Sequence, residues 1–481
     1  MIGVSSIGVW LPRARLQRAA IAGAMSWLTP GLPAKGSRSL AFWDEDATTM
    51  AVAAARTALA HPGLSGSPET LDLCTLTPPF AERQNASVLH AALRLSAEVS
   101  TQECGTTPRS TLIALHRALE GDLPALVVGA DRPVTPPGSP AEGRAGDGAA
   151  AVTVGMGPVA FDYLGGISRT AAMTDRFRAP AARFATEWED RWVREVGWQG
   201  IVVDTIRTAL DRAGIGPEEI DHLVLATTLP RLAQTVAEAT GLTRATLASD
   251  LGESIGDTHS AHALLMLAGA VDRIAPGEKL VLASFGQGAT ALVFRATEHI
   301  RALDTGFSAA LARGLPETCY TKLPVFTGLL PWDPGPRGRA PLMEALTTAD
   351  RNAEALMSFT GSFTRETGQV HFPPAKGAGQ EPWPLADRGG RVVSRTADNL
   401  AFSRSPPSCY GLIDFDGGGR LMMDFTDPDA ASIKVGQPVE FVFRVKDVDA
   451  TTGFRRYFWK AVASASASKA QHERTSHAER A

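Results

Sequence analysis

KLVLASFGQGATALVF, residues 279–294, decides the fold. Its first seven residues are an apolar run of the length and composition of a buried strand. Phe285-Gly286-Gln287-Gly288 is a glycine-rich turn, and a second strand follows it. The same order stands earlier in the chain. ALVVGAD (125–131) is a buried strand, and GDG (146–148) leads into AAAVTVG (149–155). Working outward, GIVVDTIRTALDRAG (200–214) matches the helical DATTMAVAAARTALA (46–60), which Asp46 caps. IDHLVLATT (220–228) is another strand, and TLDLCTL (70–76) is a short one. Residues 257–270 form a helix, as do 108–119, where proline stands in the first turn. With strands at 2–10 and 97–103 and a helix at 85–95, the pattern indicates an α/β fold built by internal duplication. Two independent α/β domains with ordinary glycine turns are the alternative.

Composition sets the limits. Of 481 residues, 44% are apolar and 20% charged, which excludes a disordered or fibrous chain. The length suits several domains. A net charge of −4 gives no nucleic-acid footprint. No apolar run reaches the ~20 residues of a membrane span, and the N-terminus lacks the pattern of a signal peptide. Four cysteines, at 74, 104, 319 and 409, match no zinc spacing and no disulfide framework. A cytoplasmic protein with no membrane association is expected.

Beyond 303 the rhythm changes. LPWDPGPRGRAPL interrupts it. From about 356 short strand-like runs follow, among them GRVVSRT, CYGLIDF, RLMMDFT, PVEFVFRV and YFWKAV, which suggest a small β-barrel. The end, SASASKAQHERTSHAERA (464–481), is low in complexity.

Four segments together resemble the thiolase superfamily, in its branch of 3-oxoacyl-ACP synthase III and hydroxymethylglutaryl-CoA synthase. They are DEDATTMAVAAARTAL (44–59), EVSTQECGTT (98–107), IGDTHSAHALLML (255–267) and LASFGQGATALVF (282–294). GSFTRETGQVHFPP (361–374) and VGQPVEFVFR (435–444) resemble the OB-fold, rubredoxin-like proteins that accompany acyl-CoA enzymes. The resemblance implies a duplicated five-layer αβαβα fold followed by an all-β OB-fold barrel. The expected divisions are 1–165 and 166–302 for the two halves, 303–355 for a linker, 356–463 for the OB-fold domain, and 464–481 for a disordered tail. Thr364 and Thr367 fall where that family's zinc ribbon has its first cysteines, so no metal is expected.

The resemblance also implies roles. Cys104, between a strand and a helix, is the expected nucleophile; a helix N-terminus favours a thiolate. An inert cysteine is the ordinary reading. Backbone amides of Cys104 and Gln287 would form the oxyanion hole, although the glycines equally suit close packing. The family's histidine falls on Thr227, its asparagine on Asp257, and the synthase glutamate on Leu76. Asp257 and His259 form a possible orienter and general base, with His262 one turn on. Alternatively Asp257 only caps the helix. Asp44 and Glu45 read as a solvated acidic face beside the Asp46 cap. Trp188, Trp192 and Trp198 read as packing, and Arg191 and Arg194 as helix ion pairs.

The implied function is an acyl-CoA-dependent acyltransferase or condensing enzyme acylating Cys104. The alternatives are a degenerate thiolase-like subunit that scaffolds or gates a partner thiolase through its OB-fold domain, and a CoA-ester binder without chemistry. The implied substrate is a coenzyme A thioester or acyl carrier, with no bound cofactor. A homodimer or a complex with a partner thiolase is the implied assembly.

Overall fold

The structure is a computed structural model that describes residues 2–61, 67–333, 345–401 and 403–464. It divides into two compact units. The first holds residues up to Ala41, Asp46–His90 and Leu95–Leu323; the second holds Phe42–Glu45, Ala91–Arg94 and the chain from Pro324. The expected tail at 464–481 lies outside the described residues except for Ser464.

The duplication is explicit in the ten-stranded sheet of the first unit. Ile2–Trp10, Gly148–Met156, Ala125–Asp131, Thr70–Cys74 and Ser100–Cys104 lie in that order across one half. Phe161–Thr170, Gly288–Ala296, Lys279–Phe285, His222–Leu225 and Thr246–Leu247 lie in the same order across the other. Numbered along the chain, both halves read first, fifth, fourth, second, third. Strand directions also match. The first and fourth strands run antiparallel to the fifth, and the second runs parallel to its two neighbours. The halves join where Gly3 and Val4 pair with Asp162 and Phe161.

Period-two alternation sends each strand's side chains to two cores. Leu280 and Leu282 join Val127, Val152 and the buried helix His262–Ala270 in a central core, with Leu112 and Leu115 of the helix Ser110–Leu119. Val281, Ala283 and Phe285 face the other way, onto Val203, Ile206 and Leu210 of the helix Val203–Ala213. The helix Ala47–Leu59 covers the outer side of the first half, where a Cβ on Gly8 would lie 2.4 Å from the Ala54 carbonyl oxygen. These layers are the expected αβαβα stack. Trp198 is buried against Phe285 with ring centroids 5.1 Å apart, whereas Trp188 and Trp192 are exposed. Arg191 and Arg194 make the expected ion pairs with Glu195 and Asp190.

The stretch expected to be a linker divides. Residues up to Leu323 are folded into the first unit, because Leu315–Glu317 adds a parallel strand to Ala14–Gln17. Beyond it, Gly390–Val392, Pro438–Val448, Arg455–Ala463, Arg420–Phe425 and Ser408–Phe415 follow one another, and the last pairs back to the first. This closes a five-stranded barrel, as an OB-fold requires. A separate three-stranded sheet, Gln369–His371, Thr360–Thr364 and Gln380–Pro384, carries Thr364, whose hydroxyl bonds the Gln380 amide at 2.8 Å. Thr367 sits in the turn between two of these strands.

The acidic run is not a solvated face. Asp46 does cap its helix, accepting from the Thr49 amide at 3.0 Å. Asp44 and Glu45, however, are buried in the second unit. Asp44 meets Lys460 at 2.8 Å and Arg444 at 3.6 Å; Arg444 also meets Glu45 at 3.2 Å and Asp427 at 2.8 Å. Asp44, Glu45 and Asp427 thus face Arg444 and Lys460. Burial pushes the Glu45 carboxyl up to about 6, with Asp427 and Asp44 adding to the effect and Arg444 opposing it.

The folded chain therefore keeps a proton on Glu45 up to about pH 6, while the unfolded chain releases it near 4.5. The stabilisation is complete below the lower value and is lost as pH rises through the upper one. Glu45→Gln, neutral throughout, is expected to flatten this fall in urea-unfolding stability. An equally steep fall in the variant would refute the assignment.

Candidate functional site

The site is built where loops of both halves meet in the first unit. At its centre, the strand Ala125–Asp131 ends in a buried carboxylate. Asp131 Oδ1 accepts from the Thr75 hydroxyl at 3.0 Å, the Leu76 amide at 2.8 Å and the Thr77 hydroxyl at 2.8 Å. Its Oδ2 accepts from the amide and hydroxyl of Ser260 at 3.0 and 2.6 Å. One carboxylate thus fixes the loop carrying Leu76 to the loop carrying Asp257 and His259.

In that second loop, His259 has a left-handed backbone, with φ +51°. Asp257 Oδ1 accepts from the His259 amide at 2.8 Å and lies 3.4 Å from its Nδ1. Burial alone would raise the Asp257 carboxyl, but His259 and His262 together hold it well below the usual carboxylate range. Burial lowers the basicity of His262, against the pull of Asp257. His259 Nε2 is 3.2 Å from Arg176 Nη1, and the Arg176 carbonyl lies 3.5 Å from Gln287 Nε2. Gln287 Nε2 also donates to Asp175. Thr227 is buried, and its hydroxyl oxygen accepts from the Leu229 amide at 3.1 Å.

The glycine turn is strongly bent. Gly286 and Gly288 have φ of +155° and +121° with Gln287 at +45° between them. A Cβ on Gly286 would lie 2.3 Å from Thr107 Oγ1, so glycine permits a close approach there. The Thr107 hydroxyl donates to the Gly286 carbonyl at 2.9 Å. Arg109, buried, donates from Nε to the same carbonyl at 2.6 Å and from Nη2 to the Gln287 carbonyl at 3.0 Å. Its Nη1 reaches Ser168 and Thr290 at 3.0 and 3.3 Å. The side chains of Thr107 and Arg109 bond the carbonyls of this turn, whereas no hydrogen bond among the described residues joins Cys104 to it.

Cys104 is the last residue of its strand, half-buried. The helix starts at Ser110, later than the sequence suggested, because the left-handed Thr106 (φ +73°) and Pro108 interrupt the chain. The thiol environment is therefore made by side chains. Cys104 Sγ lies 3.2 Å from Arg117 Nη2 and 3.9 Å from Asp72 Oδ1, and Arg117 and Asp72 are 3.5 Å apart. A hydrogen bond from the Cys74 thiol holds the Cys104 thiol below its ordinary value; Arg117 helps, while burial and Asp72 oppose. Among the described residues, no hydrogen bond or ion pair joins Cys104 to Asp257, His259 or Gln287.

Sequence reading missed Asp131, Arg109, Arg117 and Asp72. An aspartate ending an apolar strand was a visible signal for the first. The others act through neighbours distant in sequence.

Comparison with known proteins agrees with this architecture. Residues 210–296 match the family described as 3-oxoacyl-[acyl-carrier-protein (ACP)] synthase III C terminal. Residues 383–444 match the family described as ChsH2, C-terminal OB-fold domain. The chain is 24% identical over 318 residues to a hydroxymethylglutaryl-CoA synthase of Methanopyrus kandleri, covering 62% of this chain and 89% of that protein. It is 26% identical over 309 residues to one of Caldivirga maquilingensis, covering 61% and 86%. An HMG-CoA synthase crystallised with CoA superposes with a TM-score of 0.56 at 18% identity, over 72% of this chain and 94% of that one. The 3-oxoacyl-[acyl-carrier-protein] synthase III of Aquifex aeolicus gives 0.52 at 21% identity, over 61% and 100%. The homologues are condensing enzymes, and the fold is thiolase-like with a fused OB-fold domain.

Two outcomes are expected. Asp131→Ala leaves the Leu76 and Ser260 amides without their acceptor and should lower unfolding stability by about 3 kcal/mol or more, read from urea titration; Asp131→Asn should cost less. Arg117→Met removes a cation from the Cys104 thiolate and should slow its alkylation by iodoacetamide near neutral pH several-fold, with the Cys319 rate unchanged as control.

Proposed function

We propose that this chain is an acyl-CoA-dependent acyltransferase or condensing enzyme in which Cys104 takes the acyl group. The observation that carries the reading is the thiol's surroundings: half-exposed and 3.2 Å from the Arg117 guanidinium. The cation favours the thiolate, the form that attacks a thioester carbonyl. The attack forms a C–S bond and puts negative charge on the carbonyl oxygen, for which the amides of Cys104 and Gln287 are the proposed donors. Collapse expels the coenzyme A thiolate and leaves an acyl-cysteine, which an acceptor then attacks. The similarity to hydroxymethylglutaryl-CoA synthases supports a CoA thioester as donor.

Proton transfer departs from the family's pattern. Leu76 and Thr227 stand where the resemblance puts a glutamate and a histidine, and neither can act as a base. Asp257 and His259 are the remaining candidate pair. An acceptor that arrives already activated is therefore the better fit.

One observation favours the second reading, a degenerate subunit that works beside a partner thiolase. The glycine turn is bonded by Thr107 and Arg109, three and five residues beyond Cys104. A turn occupied in this way does not face the thiol through any bond described.

Intact-mass measurement after incubation with a panel of acyl-CoAs separates the two. Acyl transfer requires a mass gain in wild type and none in Cys104→Ala. An equal gain in Cys104→Ala removes Cys104 from the chemistry. No gain with any donor, together with co-purification of a thiolase, favours the second reading.

A further inference from the structure

Cys74 and Cys104 are the final residues of two adjacent parallel strands and stand directly opposite each other in register. Register partners in neighbouring strands project to the same face of the sheet, and their Cα atoms lie about 5 Å apart. That spacing falls inside the range of about 4.4–6.8 Å that a disulfide bridges. Both are free thiols. Both side chains belong to one apolar cluster, Cys74 within it and Cys104 packed against it. Their accessibility differs. Cys74 is completely buried, while Cys104 is half-buried, with Arg117 and Asp72 at its sulfur.

We propose that Cys104 and Cys74 form a peroxide-sensitive dithiol, with Cys104 as the sulfur that is oxidised and Cys74 as the one that resolves it. Hydrogen peroxide or an organic hydroperoxide is the oxidant. The Cys104 thiolate attacks the terminal peroxide oxygen; an S–O bond forms, the O–O bond breaks, and the leaving oxygen takes a proton as water or alcohol. Cys104 is then a sulfenic acid. The Cys74 sulfur attacks it, an S–S bond forms and the S–O bond breaks, and the departing hydroxide takes the Cys74 proton and leaves as water. Two thiols are oxidised by two electrons and one peroxide is reduced.

Three features make this more than a pair of nearby cysteines. A cation beside the accessible sulfur favours the reactive form. The resolving thiol is shielded from direct oxidation, which gives the two sulfurs an order. The pairing also sits on rigid sheet, so each thiol needs only a side-chain rotation. The proposal goes beyond acyl transfer and does not depend on it, although an acylated Cys104 would be closed to peroxide.

The test uses the full chain, treated with sub-stoichiometric hydrogen peroxide and digested without reductant. The expected result is a cross-linked pair of peptides containing Cys74 and Cys104, lighter by two hydrogens and separated by dithiothreitol. In Cys74→Ser, dimedone should label Cys104 several-fold more than in wild type; in Cys104→Ser, Cys74 should stay reduced. Cys319, exposed, and Cys409, buried, are internal controls. Oxidation of Cys319 with Cys104 and Cys74 both still reduced would overturn the proposal. So would equal dimedone labelling of Cys104 with and without Cys74. The wild-type peptide map decides even where a variant folds poorly. Disulfide formation without any acyl-CoA mass gain would leave this proposal standing and remove the acyl-transfer reading; acylation without the disulfide would do the reverse.

Discussion

The Asp131 carboxylate is the interaction on which the site's geometry rests. It ends the fourth strand of one half, yet its second oxygen binds Ser260, which belongs to the other half. A buried carboxylate without donors is costly; one with several is a rigid junction. The Ser260 carbonyl in turn accepts the Thr111 hydroxyl at 2.6 Å, at the start of the helix that follows Cys104. The two central helices are therefore locked at their entrances by the same short stretch of backbone. Three parts of the site hang on that lock: the loop of Leu76, the pair Asp257 and His259, and the approach to residues 107–109.

The glycine turn shows how a tight backbone bend is held by a side chain from elsewhere in the sequence. A positive φ at three successive residues turns the carbonyls of Gly286 and Gln287 toward the neighbouring chain. The Arg109 guanidinium is planar and rigid and satisfies both, together with two hydroxyls. Arginine there acts as a brace that fixes the turn against the helix entrance. Cys104, six residues before that helix, lies outside this brace, with the Arg117 guanidinium at its sulfur. The thiol and the turn are thus governed by separate sets of side chains.

The duplication was legible because it is written in local pattern: two apolar strands, each followed by a glycine turn and another strand. The barrel was legible for the same reason, from short strands at regular spacing. What could not be read was any contact made across long sequence distance. Arg117 reaches Cys104 over a helix that starts later than Pro108 suggested. Cys74 meets Cys104 only because two strands pair in one register out of several. Asp44 and Glu45 looked like surface charge because their partners, Arg444, Lys460 and Asp427, lie near the other end of the chain.

That acidic pair also changes what the second unit is. Its charged centre combines Asp44 and Glu45 with Asp427, Arg444 and Lys460 from far along the chain, and Asp44 bonds Thr426 and Lys460 across separations of 382 and 416 residues. Burying Arg444 and Lys460 is tolerable only with carboxylates at hand; removing a partner from a buried ion pair typically costs about 3–5 kcal/mol. The tetrapeptide Phe42–Glu45 is accordingly an integral part of that unit. Three carboxylates face two cations there, and the Glu45 carboxyl is raised chiefly by its burial, with Asp427 and Asp44 adding to the effect against the pull of Arg444. The barrel is therefore not an independent module appended to the end of the chain. Its charged centre is completed by a segment from near the other end of the chain.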